Sequence, residues 1–171
     1  MTQNYNSKKP ACFLDRDGVI NVENEYVYRI EDFIWIEGAK ETIKYLNSSG
    51  FYVFVVSNQS GISRGYYSKE DVENLHNFIN QELIDFNAHI DDFFYSPYHP
   101  DFHSKYPHLS HLRKPNTGML EMALNKWNFD KKRSFMIGDS QSDIECATKF
   151  GIRSHLFQEN NLFKFLKDIN N

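Results

Sequence analysis

Two pairs of aspartates are spaced so that they could share a cation. Asp15 and Asp17 follow an apolar run in FLDRDG, and Asp139 and Asp143 follow another in GDSQSD. An acid that ends a buried strand needs a partner for its charge, and Mg²⁺ prefers carboxylate ligands completed by phosphate and water. Asp15 and Asp139 are therefore candidate ligands, whereas Asp143 suits a role in orienting its loop. The alternatives are turn chemistry at Asp17 and a helix cap in the second pair.

The first pair also has the spacing of a nucleophile and its proton donor. A carboxylate held on Mg²⁺ is well placed to attack phosphorus, as in enzymes that form aspartyl-phosphates. A second carboxylate two positions on can protonate the leaving oxygen and later activate the hydrolytic water. This chemistry makes Asp15 a candidate nucleophile and Asp17 a candidate general acid and base.

Two polar stretches could hold the phosphate itself. SNQSGISRG begins at Ser57 after an aromatic and β-branched run, and its backbone N–H groups could form an anion-binding turn to which the Ser57 hydroxyl adds a donor. Lys114, in RKP, could stabilise charge on the phosphoryl oxygens. The alternatives are a plain polar loop and a solvated surface pair. Because the net charge is -4, any positive charge that attracts an anion must be local.

The elements that must position these groups alternate along the chain. Apolar, β-branched or aromatic runs predict strands at 11–15, 51–57, 91–97, 133–139 and 152–157. Helical periodicity, with glycine stops and a Ser68–Asp71 capping pattern, predicts helices at 38–50, 68–86, 117–128, 141–151 and 161–169. This order predicts an α/β fold: a three-layer, Rossmann-like parallel sheet with helices on both faces and no large cap domain. Chemistry in such sheets lies at the carboxyl ends of strands.

Length and composition indicate one globular domain. We expect a flexible N-terminus at 1–10, then a single domain at 11–171 with a polar, histidine-rich loop insertion at about 96–115. With 25% charged residues and a pI near 6.0, the chain has no electrostatic footprint for nucleic acid or an anionic membrane. No signal peptide or run of roughly 20 apolar residues is found. Cys12 and Cys146 lie in apolar segments, as expected of reduced thiols, so we expect a cytoplasmic monomer.

The order of the motifs is more specific than any one of them. DxDG, SNQSG, RKP and GDxxxD resemble, from about residue 11 to 157, the series found in haloacid dehalogenase superfamily phosphatases. FLDRDGVIN, NEYV, VVSNQSGISRGYYS and RKPNTGML are similar to the D-glycero-D-manno-heptose 1,7-bisphosphate 7-phosphatase family. Histidinol-phosphate phosphatase is the nearest alternative, with another small phosphate ester also open. A catalytically silent binding protein on this scaffold is the third hypothesis, against which the intact acidic motifs argue.

The resemblance implies a role for each matching residue. Asp15 would be the nucleophile and Asp17 the acid and base, with Mg²⁺ on Asp15, Asp139 and the Asp17 backbone carbonyl. Ser57 and Lys114 would stabilise the phosphoryl group. A small phosphorylated sugar would be bound by Glu23, Asn24, Tyr26, Asn58, Gln59, Ser60, Arg64, Arg113 and Ser140. The family removes the 7-phosphate during synthesis of nucleotide-activated heptose, which serves lipopolysaccharide or capsule.

Two departures from the family pattern concern charge and metal. The family's zinc-loop ligand places hold Ser96, Tyr98, Ser110 and Leu112 here, none of which supplies a thiolate or imidazole, so zinc is not expected. The opposing argument is the density of histidine in this loop, at positions 99, 103, 108 and 111. The second departure is Ser140, where the family commonly has lysine.

Overall fold

The computed structural model describes residues 8–170, and five parallel strands organise them. The strands are β1 Ala11–Leu14, β2 Tyr52–Asn58, β3 Asp92–Ser96, β4 Phe135–Gly138 and β5 Arg153–Leu156. They pair in the order β3-β2-β1-β4-β5, with every pairing parallel. β1 lies at the centre and is buried throughout, which is why ACFL is apolar at every position.

Helices connect the strands. They are α1 Ala39–Ser48, α2 Gly61–Arg64, α3 Lys69–Ile84, α4 Gly118–Trp127, α5 Gln141–Phe150 and α6 Leu162–Ile169. Short 3₁₀ helices lie at Ile30–Asp32, Pro100–Phe102, Pro107–Leu112 and Lys131–Arg133. In the part of the chain described, no helix has both the length and the apolar character needed to cross a membrane.

The core contains two large apolar clusters, one on each face of the sheet. Successive strand residues point to opposite faces, so Leu14 of β1 belongs to one cluster and Phe13 to the other. The Leu14 cluster includes residues of α1, α3 and α6, whereas the Phe13 cluster includes residues of α4 and α5. Helices therefore cover both faces, and the predicted three-layer α/β fold is confirmed.

Capping side chains fix the starts of two helices, and the cap formed by Ser68 and Asp71 was predicted from the sequence. The Ser68 backbone N–H donates to Asp71 Oδ2 at 2.7 Å, and the Asp71 N–H donates to Ser68 Oγ at 3.1 Å. At the start of α5, Ser140 donates to Asp143 Oδ2 from its N–H at 3.1 Å and from its hydroxyl at 2.6 Å. The second cap holds the Asp143 carboxylate at the end of β4.

Some local predictions need correction. All five strands and all five helices predicted from sequence are present, with ends that differ by one or two residues. Helix α2 was read as a polar turn, and the segment 98–115 was read as a loop although it contains two 3₁₀ helices. These short elements have too few turns for hydrophobic periodicity to reveal them.

The proposed flexible N-terminus can be followed in part. Residues 1–7 lie outside the described part of the chain. Lys8 Nζ donates to Asn128 Oδ1 at 2.6 Å, and the Lys9 carbonyl accepts from the Asp130 N–H at 2.8 Å. Pro10 is buried, and its carbonyl accepts from Tyr52 at 2.9 Å. The segment 8–10 thus contacts the domain, and the division at residue 10 stays a prediction.

Candidate functional site

A cleft of about 680 Å³ opens where β1, β2 and β4 end. Asp15 directly follows β1, Ser57 and Asn58 end β2, and Asp139 directly follows β4. The Asp15 N–H donates to the Ile137 carbonyl at 3.0 Å, so the ends of β1 and β4 stay together. All the catalytic, metal-binding and substrate-binding residues predicted from sequence line this cleft except Arg64 and Arg113. Tyr67 and Ser142 line it without having been predicted.

Lys114 forms a buried ionic cluster with Asp15 and Asp143, here called the Lys114 cluster. Its Nζ lies 2.9 Å from Asp15 Oδ1 and 2.6 Å from Asp143 Oδ1, and it donates to the Val56 carbonyl at 2.9 Å. Burial disfavours the ammonium, but the charges of Asp15 and Asp143 outweigh it and raise the pKa of Lys114. The side chain therefore remains a cation beside the nucleophile candidate.

A reciprocal amide pair brings Lys114 to this position. Asn58 Oδ1 accepts from the Lys114 N–H at 3.0 Å, and Asn58 Nδ2 donates to the Lys114 carbonyl at 3.2 Å. The end of β2 is thereby joined to a residue that follows a long loop. This contact explains how RKP, which follows no strand directly, reaches the strand ends.

Three carboxylates converge in the cleft. Oxygens of Asp15, Asp139 and Asp143 lie within 4.8 Å of one another, the one such potential metal-binding group among residues 8–170. Burial raises the pKa of Asp15 to about 8 despite the opposing effect of Lys114. Burial, followed by the charge of Asp143, raises the pKa of Asp139 to about 6. One ammonium does not balance three carboxylates, so this donor set fits a hard divalent cation such as Mg²⁺.

Among the three, Asp143 is the least suited to bind a metal directly. Its Oδ1 pairs with Lys114 and its Oδ2 accepts from Ser140. Asp15 and Asp139 therefore remain the proposed side-chain ligands, and Asp143 the residue that fixes Lys114 and the loop after β4. Ligation by the Asp17 carbonyl stays a prediction.

Gly18 permits the close approach of the two acidic loops. Its φ is +84°, in the left-handed region. A Cβ at this position would lie 2.0 Å from Asp139 Oδ2. The Asp139 carboxylate therefore occupies the space that any larger residue at position 18 would need.

Asp17 is held by donors from three different side chains. Arg16 Nη2 donates to both Asp17 oxygens at 3.0 Å, and Asn21 Nδ2 donates to Asp17 Oδ1 at 3.0 Å. Gln59 Nε2 donates to Asp17 Oδ2 at 2.9 Å and to Ser57 Oγ at 2.6 Å, while Gln59 Oε1 accepts from Tyr67 at 2.7 Å. One network therefore joins the acid–base candidate to Ser57.

Three members of this network were not predicted from the sequence. Arg16, Asn21 and Tyr67 were not assigned roles, although Arg16 and Asn21 are fully buried. The position of Arg16 in the sequence did indicate burial, because it lies between two acids that directly follow a buried strand. Nothing in the sequence indicated that Tyr67 reaches Gln59.

Arg64, His99 and Arg113 form a cationic group, here called the Arg64 cluster. Arg64 Nη2 donates to His99 Nε2 at 2.9 Å, and Arg113 Nη1 donates to the Tyr98 carbonyl at 3.2 Å. Burial, then Arg64 and Arg113, lower the pKa of His99. Burial, then Arg64, lower the pKa of Arg113. Two of the predicted substrate-binding residues are thus brought together, outside the lining of the cleft.

The loop that carries the family's zinc places is held here by other contacts. The Arg64 guanidinium lies 4.8 Å from the Phe102 ring centre, and Lys69 Nζ lies 4.8 Å from that of Tyr106. Asn116 Nδ2 donates to the Ser110 carbonyl at 3.0 Å. Cation–π and polar contacts, together with the buried Leu112, therefore hold the segment 96–112. The expectation that it binds no zinc stays a prediction.

Comparison with known proteins supports the chemistry of the site. Residues 111–161 match the HAD-hydrolase-like family. The chain is 40% identical over 163 residues to D-glycero-beta-D-manno-heptose-1,7-bisphosphate 7-phosphatase of Rhodopseudomonas palustris, covering 95% of this chain and 91% of that protein. It is 38% identical over 149 residues to D-glycero-alpha-D-manno-heptose-1,7-bisphosphate 7-phosphatase of Photorhabdus laumondii, covering 85% and 80%.

A solved structure matches the fold as well. D,D-heptose 1,7-bisphosphate phosphatase from B. bronchiseptica, complexed with magnesium and phosphate, superposes with a TM-score of 0.79 at 27% identity. The match covers 93% of this chain and 86% of that one.

Proposed function

Because this chain belongs to the D-glycero-D-manno-heptose-1,7-bisphosphate 7-phosphatase family of HAD-like phosphatases, we propose that it hydrolyses the 7-phosphate of heptose 1,7-bisphosphate. The observation that carries this proposal is the Lys114 cluster, which sets a cation against the Asp15 carboxylate at the floor of the cleft. That pairing supplies a nucleophile and a positive charge for the phosphoryl oxygens.

The reaction proceeds in two displacements. In the first, an Asp15 carboxylate oxygen attacks phosphorus, the bond from phosphorus to the sugar oxygen breaks, and Asp17 gives that oxygen a proton. In the second, Asp17 takes a proton from water, the water oxygen attacks phosphorus, and the bond to Asp15 breaks. Orthophosphate leaves and Asp15 is restored.

The other residues hold the transferring group. Ser57 and Lys114 would donate to the phosphoryl oxygens, and Gln59 keeps the Ser57 hydroxyl and Asp17 in one network. Asp15, Asp139 and the Asp17 carbonyl would hold Mg²⁺, which supplies positive charge opposite the phosphoryl group when bound. Glu23, Asn24, Tyr26, Asn58, Ser60 and Ser140 line the cleft where the sugar would lie.

The Arg64 cluster favours a substrate with two phosphates. Within the described part of the chain Arg64 Nε is buried without a hydrogen-bond partner, and Arg113 lies close enough for the two guanidinium charges to oppose each other. A second phosphate would accept from these donors and offset that repulsion. Histidinol phosphate carries an amine instead, so this cluster disfavours it.

An experiment must decide which anomer of the bisphosphate is the substrate, because relatives named for each anomer match the chain at similar identity. The test is a panel of both heptose 1,7-bisphosphate anomers, heptose 7-phosphate and histidinol phosphate, each with Mg²⁺. We expect kcat/KM to be highest for a bisphosphate anomer, with release of the 7-phosphate. Faster turnover of histidinol phosphate would transfer the assignment to that enzyme class, and no turnover of any ester would favour the silent binding protein.

The biological setting follows from this substrate. We propose that the protein acts as a cytoplasmic monomer in the synthesis of nucleotide-activated heptose for lipopolysaccharide or capsule. Its partner would be the small phosphorylated sugar alone. Size-exclusion chromatography with light scattering tests the monomer, and a stable dimer would contradict it.

A further inference from the structure

Arg16 is a fully buried cation to which the proposed reaction assigns no role. Its side chain is 1% exposed, whereas that of its partner Asp17 is 24% exposed. Arg16 Nε and Nη2 lie 3.3 and 3.0 Å from Asp17 Oδ1, and Nη2 lies 3.0 Å from Asp17 Oδ2. Burying such a pair costs desolvation that its attraction offsets only in good geometry, so a stabilising role alone is a weak account of it.

The same guanidinium reaches the segment that borders the substrate. Arg16 Nη2 donates to the Val27 carbonyl at 2.5 Å. Val27 directly follows the stretch that contributes Glu23, Asn24, Glu25 and Tyr26 to the cleft lining. One side chain therefore fixes both the Asp17 carboxylate and the end of the 23–26 segment.

The donors are unevenly divided between the two Asp17 oxygens. Oδ1 accepts from Arg16 Nε, Arg16 Nη2 and Asn21 Nδ2. Oδ2 accepts from Arg16 Nη2 and from Gln59, whose side chain belongs to the cleft lining. A carboxylate has about four acceptor sites, so these contacts occupy both oxygens and fix the orientation of the carboxylate.

Arg16 lies close to a neutral histidine. Its Nη1 is buried without a hydrogen-bond partner among the described residues, as is His76 Nε2. His76 stacks on Phe93, with ring centres 4.3 Å apart. Burial, followed by the Arg16 charge, lowers the pKa of His76 to about 3, so this imidazole is neutral and adds no second cation behind Arg16.

We propose that Arg16 is a positioning residue that holds the Asp17 carboxylate in the orientation needed for proton transfer and, through Val27, fixes its place relative to the segment that borders the substrate. The proposal rests on the proposed function only for the role of Asp17 as acid and base. Its distinctive consequence is that loss of Arg16 impairs proton transfer to the leaving group more than it impairs substrate binding.

The test compares leaving groups in Arg16→Lys and Arg16→Met, each checked by circular dichroism, against the wild type. The probes are p-nitrophenyl phosphate, whose leaving group needs no proton, and the best alkyl phosphate of the substrate panel. General acid–base catalysis contributes about 10²–10⁴-fold, so misplacing the acid should lower kcat/KM for the alkyl ester about 10–100-fold more than for the aryl ester. Arg16→Lys should recover part of this difference. Arg29→Met, at an exposed arginine, is the matched control and should leave kcat/KM unchanged for both esters.

Equal losses on both esters in a folded Arg16 variant would overturn the proposal, because a merely structural role predicts them. If both Arg16 variants fail to fold, Asn21→Ser removes another Oδ1 donor and should give the same bias at a smaller size, up to about 10-fold. Equal losses of kcat/KM on the two esters in Asn21→Ser would then overturn the proposal. The comparison needs only an alkyl phosphate that the protein hydrolyses, whichever it is, so a failure of the heptose assignment leaves this comparison intact and is seen separately in the substrate panel.

Discussion

The Lys114 cluster and the Arg64 cluster lie at the same end of the molecule but treat charge in opposite ways. In the first, one cation lies within 2.9 Å of two carboxylates, and the ionic partners belong to the chain itself. In the second, burial and then the neighbouring guanidinium charge lower the pKa values of His99 and Arg113. We propose that the difference reflects a division of labour: the cation beside the proposed nucleophile is balanced before the substrate arrives, whereas the cations proposed to recognise the substrate gain their counter-charge from the ligand.

The largest expected effect on turnover comes from a substitution in the Lys114 cluster. Asp15→Asn should abolish turnover while the fold remains, because an amide neither attacks phosphorus nor binds Mg²⁺ well. Steady-state assays with circular dichroism measure both properties. Substantial activity in the folded variant would remove Asp15 from the role of nucleophile.

Removal of the metal should have nearly as large an effect at the same cluster. Excess chelator should stop hydrolysis, and added Mg²⁺ should restore it, because Asp15 and Asp139 are left with unbalanced negative charge without a cation. The measurement is phosphate release before and after metal addition. Undiminished hydrolysis in chelator would contradict the metal role.

The Arg64 cluster should affect recognition and leave chemistry unchanged. Arg113→Met should lower kcat/KM for the bisphosphate about 10–100-fold through KM, since hydrogen bonds to charged groups contribute about 1.5–3 kcal/mol. The monophosphate should be nearly unaffected. Arg153→Met, at an exposed arginine far from the cleft lining, is the control. Equal losses on both substrates would break the proposed division of labour.

A smaller effect should follow from pH. The folded-state pKa of His99 is depressed, so its contribution to stability is present above pH 6.5 and is lost as the pH falls below it. A bound phosphate would favour protonation of His99, because it would pair with the charged ring. The preference for bisphosphate over monophosphate should therefore rise modestly as the pH falls below 6.5, and His99→Gln should abolish the rise. A preference that is flat with pH in the wild type would contradict the placement of the second phosphate.

The smallest expected signal is a null result for zinc in the segment 96–112. Protein purified without nickel resin should contain no stoichiometric zinc, because Ser96, Tyr98, Ser110 and Leu112 occupy the family's ligand places. Metal analysis after dialysis measures it. Retained zinc that is lost on replacing His99, His103, His108 or His111 would show an alternative site.

The sequence was most informative where chemistry and strand ends coincide. Asp15, Ser57 and Asp139 were found because each ends a strand whose apolar pattern is unambiguous. Arg16 and Tyr67 were not, because their roles depend on contacts with side chains that the fold brings together. Lys114 was identified by its motif, but the Asn58 amide pair that places it has no local pattern. Arg64 and Arg113 were predicted to contact substrate, yet their mutual proximity depends on how the segment 98–115 folds.

Gly18 couples two positions that are far apart in the sequence. The volume that a methyl group at residue 18 would need is already filled by the Asp139 carboxylate. A side chain at position 18 would thus displace the Asp139 carboxylate from its place beside Asp15. As long as the reaction needs a carboxylate at that place, glycine at position 18 and aspartate at position 139 are expected to persist together in functional descendants of this gene.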